Sequence, residues 1–124
     1  AAKALTKIFP ELKTVIGGCG IRVPVPNGSL TDITINSKNE VAISDINNAF
    51  KEASLTGLKN ILQYTDDPIV SVDINGNHHS CIFDSEMTSV IGKMIKIIGW
   101  YDNEVGYSSR IIDLIHLMSR VNVN

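Results

Sequence analysis

The sequence has few cysteines, no marked excess of charge and no long apolar run, and each of these deficits excludes a class of protein. Two cysteines among 124 residues cannot form the disulfide scaffold of a small secreted domain. The 11 basic and 13 acidic residues leave a formal net charge of −2, which argues against binding driven mainly by a nucleic-acid backbone. The longest apolar run, 94–100, is interrupted by Lys96 and falls short of the ~20 residues that a membrane span needs.

The motifs of the common catalytic and metal-binding classes are also missing. The chain contains no HExxH, no CxxC and no P-loop, and no pair of carboxylates is spaced for glycosidase chemistry. Cys19 and Cys81 have no obvious basic partner in sequence that would stabilise a thiolate, so we expect small apolar side chains rather than nucleophiles. His78 and His79 would point to opposite faces of an extended segment, which disfavours a shared metal. These residues therefore predict no catalytic group and no metal site.

What the sequence does contain is the pattern of one globular domain. Hydrophobic residues make up 44% of the chain and charged residues 19%, a composition typical of folded proteins. Hairpin-type turn signals dominate between the predicted elements. We therefore expect an α+β fold, with an antiparallel or mixed sheet and helices on one face.

Helical periodicity predicts a buried face on a first helix that begins at Ala1 and ends near 10–12. No Ser, Thr, Asp or Asn precedes Ala1 as an N-cap, which favours a helix entered after its start and hence a piece of a longer chain. A second helix is expected with Ser44 as its N-cap. A short helix over 58–64 and a last helix from Tyr107 onwards complete the set.

Alternating apolar residues predict strands over 30–35 and 69–74, the second followed by an Asn75-Gly76 hairpin turn and a return strand over 79–83. The β-branched run over 90–100 indicates a central strand.

Two polar features are not explained by a turn or a core position. Arg22 lies in a predicted extended segment, 21–23, without a local acidic partner. Its guanidinium either pairs with a distant Asp or binds an oxyanion such as phosphate, and spacing alone leaves both open. The stretch 100–104 follows the predicted central strand, where ligands often bind, although a plain polar connector is the stronger interpretation from spacing alone.

The same residues carry a resemblance to a known family. I-R-V-P-V-P-N at 21–27 and W-Y-D-N-E-V-G-Y-S at 100–108 resemble motifs of phosphorylating glyceraldehyde-3-phosphate dehydrogenase. Shorter segments at 10–12, 63–67 and 79–84 are similar as well, in the same order. The resemblance identifies residues 1–124 as a C-terminal fragment of the catalytic domain. It implies that the nucleotide-binding domain and the segments with the catalytic cysteine and histidine lie outside this chain.

The resemblance implies a glycolytic, cytoplasmic, homotetrameric parent that uses NAD, with NADP left open. That enzyme converts glyceraldehyde 3-phosphate, inorganic phosphate and NAD to 1,3-bisphosphoglycerate and NADH through a cysteine thioester, and the fragment alone is expected to be inactive. Arg22 would hold a substrate phosphate and Asn103 would contact the nicotinamide carboxamide. By the same resemblance no residue of this chain is catalytic. The motifs, charge and apolar runs described above predict no metal site and neither nucleic acid nor a membrane as partner.

Other interpretations stay open beside this one. In erythrose-4-phosphate dehydrogenase the matching stretch tends to read W-C-D-N-E-W-G-F, so Tyr101 and Tyr107 favour the glycolytic enzyme. The chain could instead be a non-enzymatic, self-associating structural module, because a sheet without its neighbours exposes apolar surface.

Overall fold

The computed structural model describes residues 2–121, which form one mixed four-stranded sheet and three α-helices. In chain order the elements are α1 (Ala2–Ile8), β1 (Ser29–Asn36), α2 (Ile43–Leu55), β2 (Leu62–Thr65), β3 (Cys81–Ile91), β4 (Met94–Tyr101) and α3 (Val105–Val121). In space the strands follow the order β1-β4-β3-β2. The expected α+β class with a mixed sheet is confirmed.

The centre of the sheet is the antiparallel hairpin of β3 and β4. Its ladder runs from Ile82 opposite Trp100 to Ile91 opposite Met94, and Gly92 turns the chain between the strands with φ of 60°. Glycine reaches this left-handed region without a clash of a Cβ atom. β1 pairs antiparallel with β4, and β2 pairs parallel with β3. The expected central strand is confirmed as β4, but the turn divides the predicted range 90–100.

The core lies where α2 packs against β2 and β3. Phe50 of α2 stacks on Phe83 of β3 with ring centroids 4.0 Å apart and an interplanar angle of 3°. Phe83 is only 1% exposed. Burial of such a ring contributes about 1.5–3 kcal/mol through removal of apolar surface from water. The buried apolar side chains are Leu62, Ile74, Ile82, Phe83, Ile95 and Ile98.

The second helix begins before its predicted cap. Ala42 is the N-cap of α2, so Ser44 lies inside the first turn and the prediction of Ser44 as N-cap is wrong. The Asp45 carboxylate accepts a hydrogen bond from the backbone N–H of Ala42 at 3.2 Å. An acidic side chain at this position satisfies the N–H of the N-cap residue and interacts favourably with the positive end of the helix dipole.

The strand predicted over 69–74 is wrong, because Ser71–Ile74 forms a 3₁₀ turn. The Asp73 carboxylate accepts a hydrogen bond from the backbone N–H of Val70 at 2.8 Å and thereby closes the turn. Ile74 is buried while Val70 stays exposed. The alternating apolar residues therefore do not form one buried face, as they would in a strand. The Asn75-Gly76 pair consequently makes no hairpin, and the strand after it, β3, begins at Cys81.

Two further segments differ from the prediction: one pairs with a strand distant in sequence, and the other pairs with no strand. The short helix predicted over 58–64 is absent, since β2 occupies its second half and pairs with β3. The carbonyl of Ile61 accepts a hydrogen bond from the backbone N–H of Ser80 at 2.8 Å. The contact between the two segments thus extends one residue before the start of each strand. Residues 16–28 contain no strand, so the extended strand predicted at 21–23 is not formed.

The first and last helices are confirmed, but their apolar stripes are exposed. On α1 and just after it, Leu5, Ile8 and Phe9 are exposed in place of the expected buried face. The prediction about the helix start concerns Ala1, which lies outside the described residues. Within 2–121, no helix combines the length and the apolar character needed to cross a membrane. The exposed apolar side chains on one stripe of α3 are Tyr107, Ile111, Leu114, Ile115 and Met118.

Candidate ligand-binding site at the end of strand β4

The loop between β4 and α3 is built around the carboxylate of Asp102, which is only 2% exposed. Its Oδ1 accepts hydrogen bonds from the backbone N–H groups of Glu104 and Val105, both at 2.9 Å. Asp102 therefore caps α3, as its position just before that helix favours. Its Oδ2 accepts from the Gly76 N–H at 2.9 Å and from the Asn27 Nδ2 at 3.1 Å.

These hydrogen bonds keep the buried carboxylate ionised. The N–H groups of Val105, Gly76 and Glu104 lower the pKa of Asp102 to about 2, with a smaller contribution from the Asn27 amide, and burial opposes them. Donors aimed at a carboxylate favour its charged form more than desolvation disfavours it when several of them converge. The loop is thus held by a fixed negative charge.

The same contacts join the two segments that carry the sequence motifs. Asn27 ends the 21–27 segment and bonds to Asp102, which lies 75 residues further along the chain. Two residues after Asn27, the Ser29 Oγ donates to the Asn103 Oδ1 at 3.3 Å. In the sheet, Ser29 pairs with Tyr101 and so brings the start of β1 beside the end of β4. The two motifs therefore meet in one place.

The amide of Asn103 is exposed at a shallow depression of about 240 Å³. Tyr101, Tyr107 and Arg110 line the same depression. Among the residues that the structure describes, the Asn103 Nδ2 has no hydrogen-bond partner. It offers two N–H donors to a ligand, while Oδ1 keeps a second lone pair.

Arg22 lies on the irregular segment that leads into this region. Its side chain is exposed and makes no ion pair with any side chain in 4–121, so the alternative of a structural salt bridge finds no partner there. Asn27 follows Arg22 by five positions, and a chain of that length spans at most about 18 Å. The backbone of Arg22 thus lies within that distance of the Asn27 backbone.

One side of the depression contains a polar cluster that sequence reasoning missed. The Arg110 Nη1 donates to the Ser80 Oγ at 3.1 Å, and its Nη2 pairs with Asp113 at 2.7 Å. Partial burial, then the charges of Arg110 and His78, lower the pKa of His79 from 6.5, which favours a neutral ring near pH 7. His78 and His116 are exposed, whereas His79 is half-buried.

The two cysteines differ in their surroundings. Cys19 is exposed on the irregular segment, and Cys81 is half-buried at the start of β3. Burial raises the pKa of the Cys81 thiol, which disfavours the reactive thiolate. Within the described part of the chain, no three His, Cys, Asp or Glu side chains are grouped so that they could hold a metal ion.

Sequence reasoning also missed the role of Asp102 and Asn27, although both lie in the quoted motifs. An Asp directly before a helix is an N-cap signal, so one half of the Asp102 contacts was accessible from sequence. The other half was not, because Asn27 and Gly76 approach only through the folding of distant segments.

The chain is similar to known proteins over most of its length. The family model described as "Glyceraldehyde 3-phosphate dehydrogenase, C-terminal domain" matches residues 1–103, and the chain belongs to this family. A protein of Mycobacterium avium named glyceraldehyde-3-phosphate dehydrogenase is 49% identical over 120 residues, which cover 97% of this chain and 35% of that relative.

Two proteins of Streptomyces avermitilis give the same result. Glyceraldehyde-3-phosphate dehydrogenase 1 is 45% identical over 118 residues, and glyceraldehyde-3-phosphate dehydrogenase 2 is 51% identical over 115 residues. The matches cover 95% and 92% of this chain but only 35% and 34% of those relatives. The chain thus spans about a third of the length of the relatives it matches.

Proposed function

We propose that residues 1–124 form the C-terminal part of the catalytic domain of an NAD-dependent, phosphorylating glyceraldehyde-3-phosphate dehydrogenase. The whole enzyme would oxidise glyceraldehyde 3-phosphate with NAD and inorganic phosphate to 1,3-bisphosphoglycerate and NADH through a cysteine thioester. The observation that carries the proposal is the junction of the 21–27 and 100–108 segments through Asn27, Ser29, Asp102 and Asn103. A junction of two distant motifs at an exposed amide supports a shared ligand site.

In this proposal the chain supplies binding groups, and the reacting groups come from elsewhere. Cys81 is half-buried with a raised pKa, and neither cysteine lies in the family's catalytic-cysteine motif, so the thiolate nucleophile and its histidine would lie in the two thirds of the relatives' length that the chain does not span. The nucleotide-binding domain, which would decide between NAD and NADP, would lie there too. The chain by itself is therefore expected to be inactive.

Asn103 is proposed to bind the carboxamide of the nicotinamide ring. The chemistry fits, because a carboxamide has one donor group and one acceptor group, and the Asn103 amide offers free N–H donors and a lone pair. Tyr101 and Tyr107 at the same depression provide aromatic surface for a flat ring. The nicotinamide, when bound, accepts hydride at its C4 atom. Asn103 would fix which face of the ring meets the substrate.

Arg22 is proposed to bind the phosphate of the substrate. A guanidinium can donate two parallel hydrogen bonds to phosphate oxygens and stays ionised at any relevant pH. The free, exposed guanidinium of Arg22 supports this role, since no carboxylate in 4–121 competes for it.

The parent is further proposed to be a cytoplasmic homotetramer. The exposed apolar stripe of α3 supports burial of this surface by other protein, whether the rest of the same chain or a further subunit. The same stripe favours a second candidate function, a self-associating structural module. Light scattering of the purified 124-residue chain tests this candidate, and a stable monomer would contradict it.

The test of the proposed enzyme compares the 124-residue chain with the full-length protein that contains it. The full-length protein is expected to reduce NAD with glyceraldehyde 3-phosphate and phosphate, and the chain alone is not. Turnover by the chain alone at the same rate per mole would contradict the proposal that the reacting groups lie outside this chain. Erythrose 4-phosphate, offered in parallel, should be the poorer substrate by kcat/KM.

Two substitutions in the full-length protein test the binding roles. Arg22→Lys is expected to raise the KM for glyceraldehyde 3-phosphate about ten- to a hundredfold, because charged hydrogen bonds contribute about 1.5–3 kcal/mol. Asn103→Ala is expected to lower kcat/KM for NAD and to leave the aldehyde KM nearly unchanged. Arg120→Lys and Asn48→Ala, at exposed positions on α3 and α2, are the matched controls and should behave as wild type.

A further inference from the structure

The depression contains a buried carboxylate, that of Asp102, to which the proposed function assigns no contact with a ligand. Both oxygens of Asp102 accept two hydrogen bonds each, from two N–H groups of its own loop and from one donor in each of two distant segments. With four bonds made and 2% exposure, the carboxylate has little capacity to receive a ligand. The Asp102 carboxylate therefore restrains the segments bonded to it and does not bind a ligand.

Asp102 fixes the backbone on both sides of Asn103. Asn103 follows Asp102 directly and precedes the two N–H groups, of Glu104 and Val105, that bind the Asp102 Oδ1. The loop thus closes around its own carboxylate, with Asn103 at the tip. The Asn27 and Gly76 contacts attach this closed loop to two other parts of the fold.

A steric contact prevents the loop from shifting as a unit. The first turn of α3 packs so closely on the 77–80 segment that a Cβ atom added at Gly106 would lie 3.0 Å from the carbonyl oxygen of His79. The Ser29 hydroxyl donates a hydrogen bond to the amide oxygen of Asn103. Both the backbone and the amide of Asn103 are thereby oriented.

We propose that Asp102 is a positioning residue for the Asn103 amide: its buried carboxylate, bonded to Asn27, Gly76, Glu104 and Val105, sets the orientation in which Asn103 meets the nicotinamide carboxamide. The inference rests on the proposed function of Asn103. It adds that the orientation of the nicotinamide ring depends on a carboxylate that does not itself touch the ligand.

The test is a double-mutant cycle in the full-length enzyme. Asp102→Asn keeps the size of the side chain but replaces a carboxylate oxygen with an amide group, so at least one N–H donor loses its acceptor. We expect kcat/KM for NAD to fall about tenfold or more in the wild-type background. In the Asn103→Ala background the same substitution should change it less than twofold, because the group that Asp102 positions is already absent.

A second measurement follows the face of hydride transfer, which general destabilisation would not alter. With glyceraldehyde 3-phosphate deuterated at C1, the C1–D bond breaks and the deuterium forms a bond to one face of the nicotinamide C4 atom. Wild-type enzyme is expected to label one face, and Asp102→Asn to label both detectably by proton NMR of the reduced cofactor. Label on a single face in Asp102→Asn would overturn the inference.

The control is Asp84→Asn, which alters another buried carboxylate. Asp84 is 3% exposed, and its Oδ2 accepts from the Trp100 Nε1 at 3.0 Å, a bond that an amide oxygen can still accept. This variant should retain wild-type kcat/KM and single-face labelling. If Asp102→Asn does not fold, Asn27→Ala serves instead, because it removes only one of the four hydrogen bonds. In the same cycle, Asn27→Ala should lower kcat/KM for NAD about two- to fivefold in the wild-type background. In the Asn103→Ala background this loss should disappear.

The outcomes separate the inference from the function on which it rests. An equal loss from Asp102→Asn in both backgrounds would show a general structural role and would overturn the inference alone. No loss from Asn103→Ala itself would overturn the proposed role of Asn103, and the inference with it. Absence of NAD reduction by the wild-type full-length protein would overturn the proposed function.

Discussion

Gly99 and Cys81 lie diagonally opposite each other on β4 and β3, and a Cβ atom added at position 99 would stand 2.7 Å from the Cys81 sulfur. That distance is shorter than any normal carbon–sulfur contact, so the two positions depend on each other. A larger residue at 99 forces the thiol out of its position at the start of β3.

This relationship predicts that Gly99→Ala destabilises the protein by about 0.5–1.5 kcal/mol, the cost of moving the Cys81 thiol away from its preferred rotamer. In a Cys81→Ala background, which removes the sulfur, the same substitution should cost almost nothing. Urea unfolding of the four proteins measures both effects. Equal stability of Gly99→Ala and wild type would contradict the predicted contact.

The acid stability of the protein should depend on Asp102. Its pKa is about 2 in the folded protein and close to its usual value of 3.8 in the unfolded chain. A carboxylate with a lowered pKa stabilises the fold above the unfolded pKa and loses that contribution as pH falls through the folded one. The free energy of unfolding of wild type should therefore exceed that of Asp102→Asn at pH 7, with the difference shrinking between about pH 4 and pH 2. A difference independent of pH would contradict the bonded, ionised carboxylate.

The two cysteines should differ in their rates of alkylation. Burial raises the pKa of Cys81, so less of its thiol is ionised at pH 7.5, and the surrounding residues also restrict access. Cys19 is exposed and should react with iodoacetamide about tenfold faster or more. Peptide mass spectrometry over a time course measures both rates in the same sample. Urea should abolish the difference, and equal rates without urea would contradict the half-buried position of Cys81.

The ion pair between Lys96 and Asp32 should contribute little to stability. The Lys96 Nζ lies 2.8 Å from the Asp32 Oδ2, but both side chains are 46% exposed. Exposed pairs are screened by solvent and typically contribute less than about 1 kcal/mol. A double-mutant cycle with Asp32→Asn and Lys96→Met should give a coupling energy below that value, falling further in 1 M NaCl. A larger, salt-independent coupling would indicate that other groups bury the pair.

The helices and the two strands nearest the motifs could be predicted because local patterns specify them. The apolar spacing along α3 and the alternation along β1 each involve side chains within a few residues of one another. The segments predicted wrongly are short. In 58–64 and 69–74 a few apolar residues fit two periods equally well, and pairing with β3 or burial of Ile74 decides between them.

In the candidate site, too, some features follow from local sequence and others only from the tertiary structure. Neighbouring residues were enough to mark Asn103 and Arg22 as candidates, because the motifs that contain them are continuous in the chain. The junction at Asp102 could not be obtained in this way. Its donors come from Asn27 and Gly76, 75 and 26 residues away, and hydrogen bonds between segments so far apart exist only once the sheet has brought them together.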